Sequence, residues 1–184
     1  RYTLSHFGYM PEKEVWVTEY NMSAGSTALA NTWTQTLFLF SMMDTLLQQK
    51  QISMLLPWAY SGQPVYLQAL NYADFTMKAT GVAVKLINDI SRGKDSCSKL
   101  VIDAPYQSYN SIQYPSVFGY RFYDNASSSA NIIVVNISSI QYSLDLSKIT
   151  GNRQVSYTIY TADTAQMIND GFKDLTISSG SISG

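Results

Sequence analysis

The chain has 184 residues, of which 46% are hydrophobic, enough for the core of one large or two small globular domains. Its net charge is −1 and only 14% of its residues are charged, which argues against electrostatic binding of nucleic acid or of an anionic membrane. A single cysteine and a single histidine exclude an intrachain disulfide and argue against a metal centre and a Ser-His-Asp triad. No apolar stretch approaches the roughly 20 residues of a membrane span, so we expect a soluble protein without metal or cofactor.

The first half of the chain alternates between predicted strands and predicted helices. Residues 14–20, EVWVTEY, are β-branched or aromatic enough to predict a strand. Apolar residues that recur every three or four positions predict an amphipathic helix over residues 27–50. Residues 52–58, ISMLLPW, predict a second apolar strand, and residues 74–91 a second helix with Gly93 as its stop. This order is typical of a parallel sheet that is covered on both faces.

The second half of the chain has a different pattern. After SRGKDSCSK, short predicted strands are separated by Ser, Asn and Gly turns, with no helical periodicity between them. The stretch QYSLDLS places Tyr142, Leu144 and Leu146 on one face, as in an antiparallel sandwich. We therefore predict one domain over residues 1–94 and a β-sandwich over 95–184. The closing stretch DLTISSGSISG leads toward a last sandwich strand that we expect to be missing.

A carboxylate and two aromatic residues follow the predicted strands of the first half. In parallel α/β folds, functional side chains lie at the carboxyl ends of strands, where loops open onto a shared crevice. Glu19 lies at that end of the first strand, and Trp58 and Tyr60 lie at that end of the second. A sugar fits this combination, because its C–H face stacks on an aromatic ring and its anomeric carbon reacts with an anionic nucleophile. The structural alternative is that Glu19 caps a loop and Trp58 fills the end of the sheet.

Four segments carry a resemblance to a known family. EVWVTEYN, STALANTWTQTLFLFSMM, ISMLLPWAYSG and KATGVAVKLINDI resemble, in this order, the last quarter of clan A glycoside hydrolases. These are retaining (β/α)8-barrel enzymes of the arabinofuranosidase, xylosidase and agarase kind. The resemblance implies a fold that is α/β plus all-β: a partial (β/α) barrel segment, the last units of the barrel, followed by an antiparallel β-sandwich. It also implies Glu19 as the catalytic nucleophile and Trp58 as the stacking platform, with substrate contacts at Tyr20, Asn21 and Tyr60.

The sequence departs from this family in what it lacks. The general acid of the clan ends the fourth barrel strand and the tyrosine that orients the nucleophile comes from the sixth, and neither segment occurs here. The resemblance therefore implies part of a secreted or cell-surface glycosidase that acts on a carbohydrate and is inactive without its general acid. We expect the open barrel edge to be covered by the missing barrel portion or by a second copy of the chain. The alternative function is a non-catalytic carbohydrate-binding or structural module.

Other candidate residues have structural interpretations. Asp44, Asp74 and Asp89 fall within predicted helices or their caps, where solvated positions are expected. Trp16 and Trp33 are expected in the core, and Cys97 is expected to be an exposed thiol without a role.

Overall fold

The computed structural model describes residues 14–22, 28–57, 67–109, 111–151 and 153–182. Its elements, in chain order, are β1 (Val15–Tyr20), α1 (Trp33–Leu47), β2 (Ile52–Pro57), α2 (Ala79–Ser91), β3 (Ser96–Lys99), β4 (Tyr106–Tyr109), β5 (Ile112–Pro115), β6 (Val117–Asp124), β7 (Ser129–Asn136), α3 (Ser147–Thr150), β8 (Val155–Thr161), a 3-10 helix (Gly171–Asp174) and β9 (Thr176–Ile182). The mixture of helix and strand is confirmed. Within the described ranges no helix has the length and apolar character needed to cross a bilayer.

The predicted strand–helix–strand–helix order of the first half is present, and β1 and β2 pair in parallel. Both helices begin later than predicted. Asn31 adopts a left-handed backbone with φ 57° before α1, and Phe75 does so with φ 56° before α2. An L residue in this region interrupts helical geometry, so the apolar periodicity upstream of each helix falls in turns.

The second half forms small antiparallel sheets. β3, β6 and β7 make a three-stranded sheet in the order β3-β6-β7, while β4–β5 and β8–β9 are separate two-stranded pairs. β6 and β7 pair at eight consecutive positions without a shift, from Val117↔Asn136 to Asp124↔Ser129. The described strands form no closed barrel.

One hydrophobic core joins the two halves of the chain. Its buried residues are Trp33, Leu39, Phe40 and Met43 of α1, Ala79, Val82, Ala83 and Leu86 of α2, Phe118, Tyr120, Phe122 and Val135 of β6 and β7, and Ile168 and Leu175. The predicted burial of Trp33 is confirmed, with 7% of its surface exposed. The predicted burial of Trp16 is wrong, because 60% of its surface is exposed. The domain boundary near residue 94 stays a prediction.

The start of α1 is capped by a segment from the end of the chain. The first N–H groups of a helix have no partner within the helix. Here Trp33 N donates to the Gln166 carbonyl (2.9 Å) and Thr34 N to the Thr164 carbonyl (3.1 Å). In return, Ile168 N donates to the carbonyl of Asn31 (2.8 Å), and the Ile168 side chain is fully buried. The second half of the chain therefore completes a helix of the first half.

Candidate functional site

The register between β1 and β2 shifts twice. Val15 pairs with Ile52 and Trp16 with Met54, so β2 contains one extra residue. Val17 then pairs with Leu55 and Tyr20 with Pro57, so β1 contains one extra residue in the interval that holds Thr18 and Glu19. The two shifts cancel. The result is a β-bulge immediately around the predicted nucleophile, and β-bulges redirect side chains.

The bulge decides which way Glu19 points. In a regular strand the side chains alternate, and Glu19 would share the face of Val15 and Val17 toward the helices. Because one residue is inserted, Thr18 and Glu19 are both exposed, and Tyr20 turns to the half-buried face. Glu19 therefore lies at the carboxyl end of a parallel strand, on its exposed side.

The exposed face of the β1–β2 pair is apolar around this acid. Trp16 is 60%, Met54 38% and Leu56 46% exposed. Parallel sheets are normally covered on both faces. This arrangement places an exposed carboxylate on one surface with an exposed indole; a carboxylate can act as a nucleophile at an anomeric carbon, and an indole can stack on a sugar ring.

Tyr20 faces the opposite side of the pair. It lines a cavity of about 300 Å³ between the strands and the helices, together with Leu39, Phe40, Met43, Ala83 and Ile87. Burial raises the pKa of the Tyr20 phenol, so the group stays neutral at physiological pH. The predicted contact of Tyr20 with a substrate stays a prediction, and its packing in the fold supports a structural role.

Asn21 lies in a polar network at the end of β1. Its Nδ2 donates to the Leu67 carbonyl and to Thr80 Oγ1, both at 3.3 Å. Its Oδ1 accepts from Gln35 Nε2 (3.1 Å) and from Met22 N (2.8 Å). These bonds join β1 to α1 and α2. The predicted contact of Asn21 with a substrate stays a prediction, while these interactions give its amide a structural role.

Gln35 and Thr80 were not identified from the sequence. Both are buried, with 1% of their surfaces exposed, and both lie in the first turns of their helices. A polar residue on the core-facing side of an apolar helix is a weak signal that could have identified them, since buried polar groups need partners. The predicted aromatic residues Trp58 and Tyr60 lie outside the described residues.

The predicted solvation of Asp44 is wrong. Asp44 is 4% exposed, and its carboxylate accepts from Tyr120 Oη (2.7 Å) and pairs with Lys99 Nζ (2.7 Å). Burial, followed by the bond to Asp44, raises the pKa of the Tyr120 phenol far above its ordinary value. This cluster connects α1 to β3 and β6, so it is a structural contact between the two halves.

Asp74 and Asp89 are exposed, as predicted. Asp74 accepts from Thr76 N (3.0 Å) in a turn, and Asp89 pairs with Lys85 (2.7 Å) on the surface of α2. Cys97 is an exposed free thiol, as predicted, although it lies in β3. Across the described ranges, no three His, Cys, Asp or Glu side chains are grouped as metal ligands would be.

The chain was compared with protein-family models, with curated proteins and with solved structures, and none of the three comparisons found a match. The resemblance to clan A glycoside hydrolases therefore rests on short motifs and their order. A site at Glu19 is supported by the register shift in β1 and by the exposure of Glu19.

Proposed function

We propose that this chain carries the nucleophile of a retaining glycoside hydrolase that acts on a polysaccharide or oligosaccharide. The observation that supports this most directly is the position of Glu19. It ends a parallel strand and is turned by a β-bulge to an exposed face that also carries Trp16. In this reaction Glu19 attacks the anomeric carbon and forms a glycosyl-enzyme ester, while a second carboxylic acid protonates the leaving oxygen. The same group then acts as a base and activates the water that hydrolyses the ester.

The fold that belongs to this proposal is a partial (β/α)8 barrel followed by a β-sandwich. Parallel pairing of β1 with β2 and the intervening α1 support the barrel segment. Among the described strands, β1 and β2 pair only with each other. The face of this pair that is turned away from the helices carries exposed Trp16, Met54 and Leu56. Further barrel strands would cover this face and this edge, as parallel sheets require.

The general acid is proposed to come from polypeptide outside these 184 residues. The two carboxyl groups of a retaining enzyme lie about 5 Å apart. Glu14 immediately precedes β1, and five residues of nearly extended chain place it about 16 Å from Glu19. The buried Asp44 pairs with Lys99, Asp74 accepts hydrogen bonds in a turn, and Asp89 forms a surface ion pair. The chain alone is therefore expected to show no turnover, and the proposed setting is a secreted or cell-surface enzyme.

The second candidate is a carbohydrate-binding or structural module without catalysis. Exposed aromatic side chains favour it: Tyr72 is 75% and Tyr106 is 67% exposed, in addition to Trp16. Aromatic rings of this kind bind sugars by stacking without any reaction. The two candidates differ in whether Glu19 reacts.

The test uses Glu19→Gln in a polypeptide that contains this chain and the general acid. We expect turnover of an aryl glycoside to fall by about a thousandfold or more, because the amide cannot form the covalent intermediate. Binding of an oligosaccharide should persist. Glu14→Gln, five residues earlier and immediately before β1, is the matched control and should retain full turnover.

Trapping the intermediate gives an independent measurement. A 2-fluoro glycoside with a good leaving group should add one sugar to the enzyme, and peptide mass spectrometry should locate it on Glu19. A sugar attached elsewhere, or full turnover in Glu19→Gln, would remove Glu19 from this role. Oligosaccharide binding by a wild-type polypeptide that shows no turnover would instead support the binding module.

A further inference from the structure

We propose that Gln35, together with Asn21 and Thr80, forms a positioning network that orients the Glu19 carboxylate. The inference rests on the proposed function, since it assigns residues that act through the nucleophile. None of the three is assigned a reaction with the substrate. Their role is to hold the carboxyl end of β1 in the one geometry that presents Glu19 on the exposed face.

The bulge leaves Glu19 without pairing in the strand ladder. Between the pairs Val17↔Leu55 and Tyr20↔Pro57, three steps on β1 oppose two steps on β2. A bulged residue is not fixed by a regular partner. The direction of the Glu19 side chain therefore depends on how firmly the chain is held just after it.

Asn21 holds the chain at that point. Its amide makes hydrogen bonds of 2.8–3.3 Å to the neighbouring Met22 N and to groups on Gln35, Leu67 and Thr80. If the bulge were lost, every residue after it would move to the other face of the strand. Asn21 could then no longer reach these partners. The network is satisfied only when Tyr20 faces inward and Glu19 faces outward.

Gln35 fixes Asn21 because both ends of its own amide are engaged. Nε2 donates to Asn21 Oδ1 (3.1 Å), and Oε1 accepts from Asn31 N (2.5 Å). Asn31 in turn accepts from Ala79 N (3.1 Å) at the start of α2. Gln35 itself has 1% of its surface exposed, so removing its amide takes a hydrogen-bond partner from the half-buried Asn21 and Asn31 at a site closed to solvent.

Nucleophilic attack is sensitive to this kind of support. A displacement of about 1 Å at a reacting group can lower a rate by about a hundredfold. Supporting residues hold catalytic groups within about 0.5 Å of the productive geometry. A network attached two residues after Glu19 is close enough to set that geometry.

The experiment compares Gln35→Met with Gln48→Met in the complete enzyme. Methionine keeps the length of glutamine but makes neither hydrogen bond. Gln48 is the C-cap residue of α1, about 20 Å farther along the helix axis, and its side chain donates to Asp44 instead. We expect Gln35→Met to lower kcat on an aryl glycoside by about ten- to a hundredfold with KM within about twofold, and Gln48→Met to leave kcat unchanged.

A second pair of variants keeps the test valid if Gln35→Met does not fold. Thr80→Val keeps the shape of the side chain and removes the acceptor for Asn21, whereas Thr80→Ser keeps the hydroxyl. We expect kcat to fall about fivefold or more in Thr80→Val and to be restored in Thr80→Ser. Hydrogen exchange of the β1 peptide should accelerate in Thr80→Val and not in Thr80→Ser.

The outcomes separate the two proposals. If Glu19→Gln is inactive but Gln35→Met and Thr80→Val keep wild-type kcat, the positioning network is refuted and the proposed function stands. An equal loss of kcat in Gln35→Met and Gln48→Met would also refute it, because a general loss of stability would explain both. If Glu19→Gln keeps its turnover, the proposed function fails, and the positioning role fails with it.

Discussion

The parallel pair β1–β2 and the antiparallel pair β6–β7 are both rich in apolar residues, yet they differ in how fully they are packed. β6 and β7 pair at eight positions without a shift and bury Phe118, Tyr120 and Phe122 to 2%, 4% and 8% exposure. β1 and β2 have two register shifts and leave Trp16 and Met54 exposed.

The difference follows from how each pair is connected. β6 and β7 are joined by a short turn, and the helices cover the face that Phe118 and Tyr120 share. β1 and β2 are separated by a whole helix, and α1 and α2 cover one of their faces only. Of the two strand pairs, β6–β7 therefore contributes the fully buried side chains to the core, whereas the proposed chemistry lies on β1–β2.

The largest difference in unfolding free energy should be found between a substitution in β6 and a substitution in β1. Phe118→Ala removes a ring from the core and should lower the free energy of unfolding by about 4 kcal/mol. Trp16→Ala removes an exposed ring and should cost less than about 1 kcal/mol. Urea unfolding of both variants measures the difference. If the two substitutions cost the same free energy, the face of β1–β2 that is turned away from the helices is covered in this chain.

The contact of the buried Asp44 carboxylate with Tyr120 and Lys99, which joins the two halves, should give the next largest effect. Asp44→Ala leaves the buried Tyr120 hydroxyl without its acceptor and Lys99 without its ion pair, and it should cost about 2 kcal/mol. Asp89→Ala breaks only a surface pair with Lys85 and should cost less than about 0.5 kcal/mol. Thermal and urea unfolding measure both. A small cost for Asp44→Ala would show that the contact between α1 and β6 is held by apolar packing alone.

A glycine tests how closely β6 and β7 approach each other. A Cβ on Gly119 would lie 2.6 Å from the backbone oxygen of Ile133, so Gly119→Ala should cost about 2 kcal/mol. In β9, a Cβ on Gly180 would meet only the movable end of the Tyr157 side chain, at 2.6 Å. Gly180→Ala should therefore cost less. The two unfolding curves compare a rigid obstacle with a flexible one, and equal costs would contradict the close packing of β6–β7.

The smallest effect is a dependence of stability on alkaline pH. The pKa of Tyr120 is raised in the folded protein, so the unfolded chain loses this proton first, above pH of about 10. The contribution of the protonated Tyr120 phenol to the free energy of unfolding is fully present below that pH and is lost as pH rises. Between pH 8 and 11 the wild type should lose about 1 kcal/mol more than Tyr120→Phe. Tyr157→Phe, at an exposed tyrosine, is the control and should follow the wild type.

The sequence was sufficient for elements that depend on local pattern. The alternation of strands and helices in the first half, and the place of Glu19 at the end of a strand, follow from apolar spacing in short windows. The later start of α1 could not be read in this way, because it depends on the left-handed conformation of Asn31.

Features that depend on distant partners were not predictable. The burial of Asp44 requires Lys99 and Tyr120, which lie 55 and 76 residues away in the chain. The bulge at Thr18–Glu19 was hidden as well, since VWVTEY reads as a regular strand in either register. The exposure of Trp16 depends on which polypeptide covers β1–β2. An apolar strand sequence predicts that both faces are covered, but it does not identify the polypeptide that covers them.

The cap on α1 has a consequence for synthesis. Residues 31–34 form hydrogen bonds with residues 164–168. The first turn of α1 therefore lacks these partners until a segment about 130 residues later has been translated. Long-range contacts of this kind slow folding, because a large loop must close before they form. As the chain leaves the ribosome, β6 and β7 can pair by themselves, whereas the first turn of α1 obtains these hydrogen bonds only after residues 164–168 have emerged.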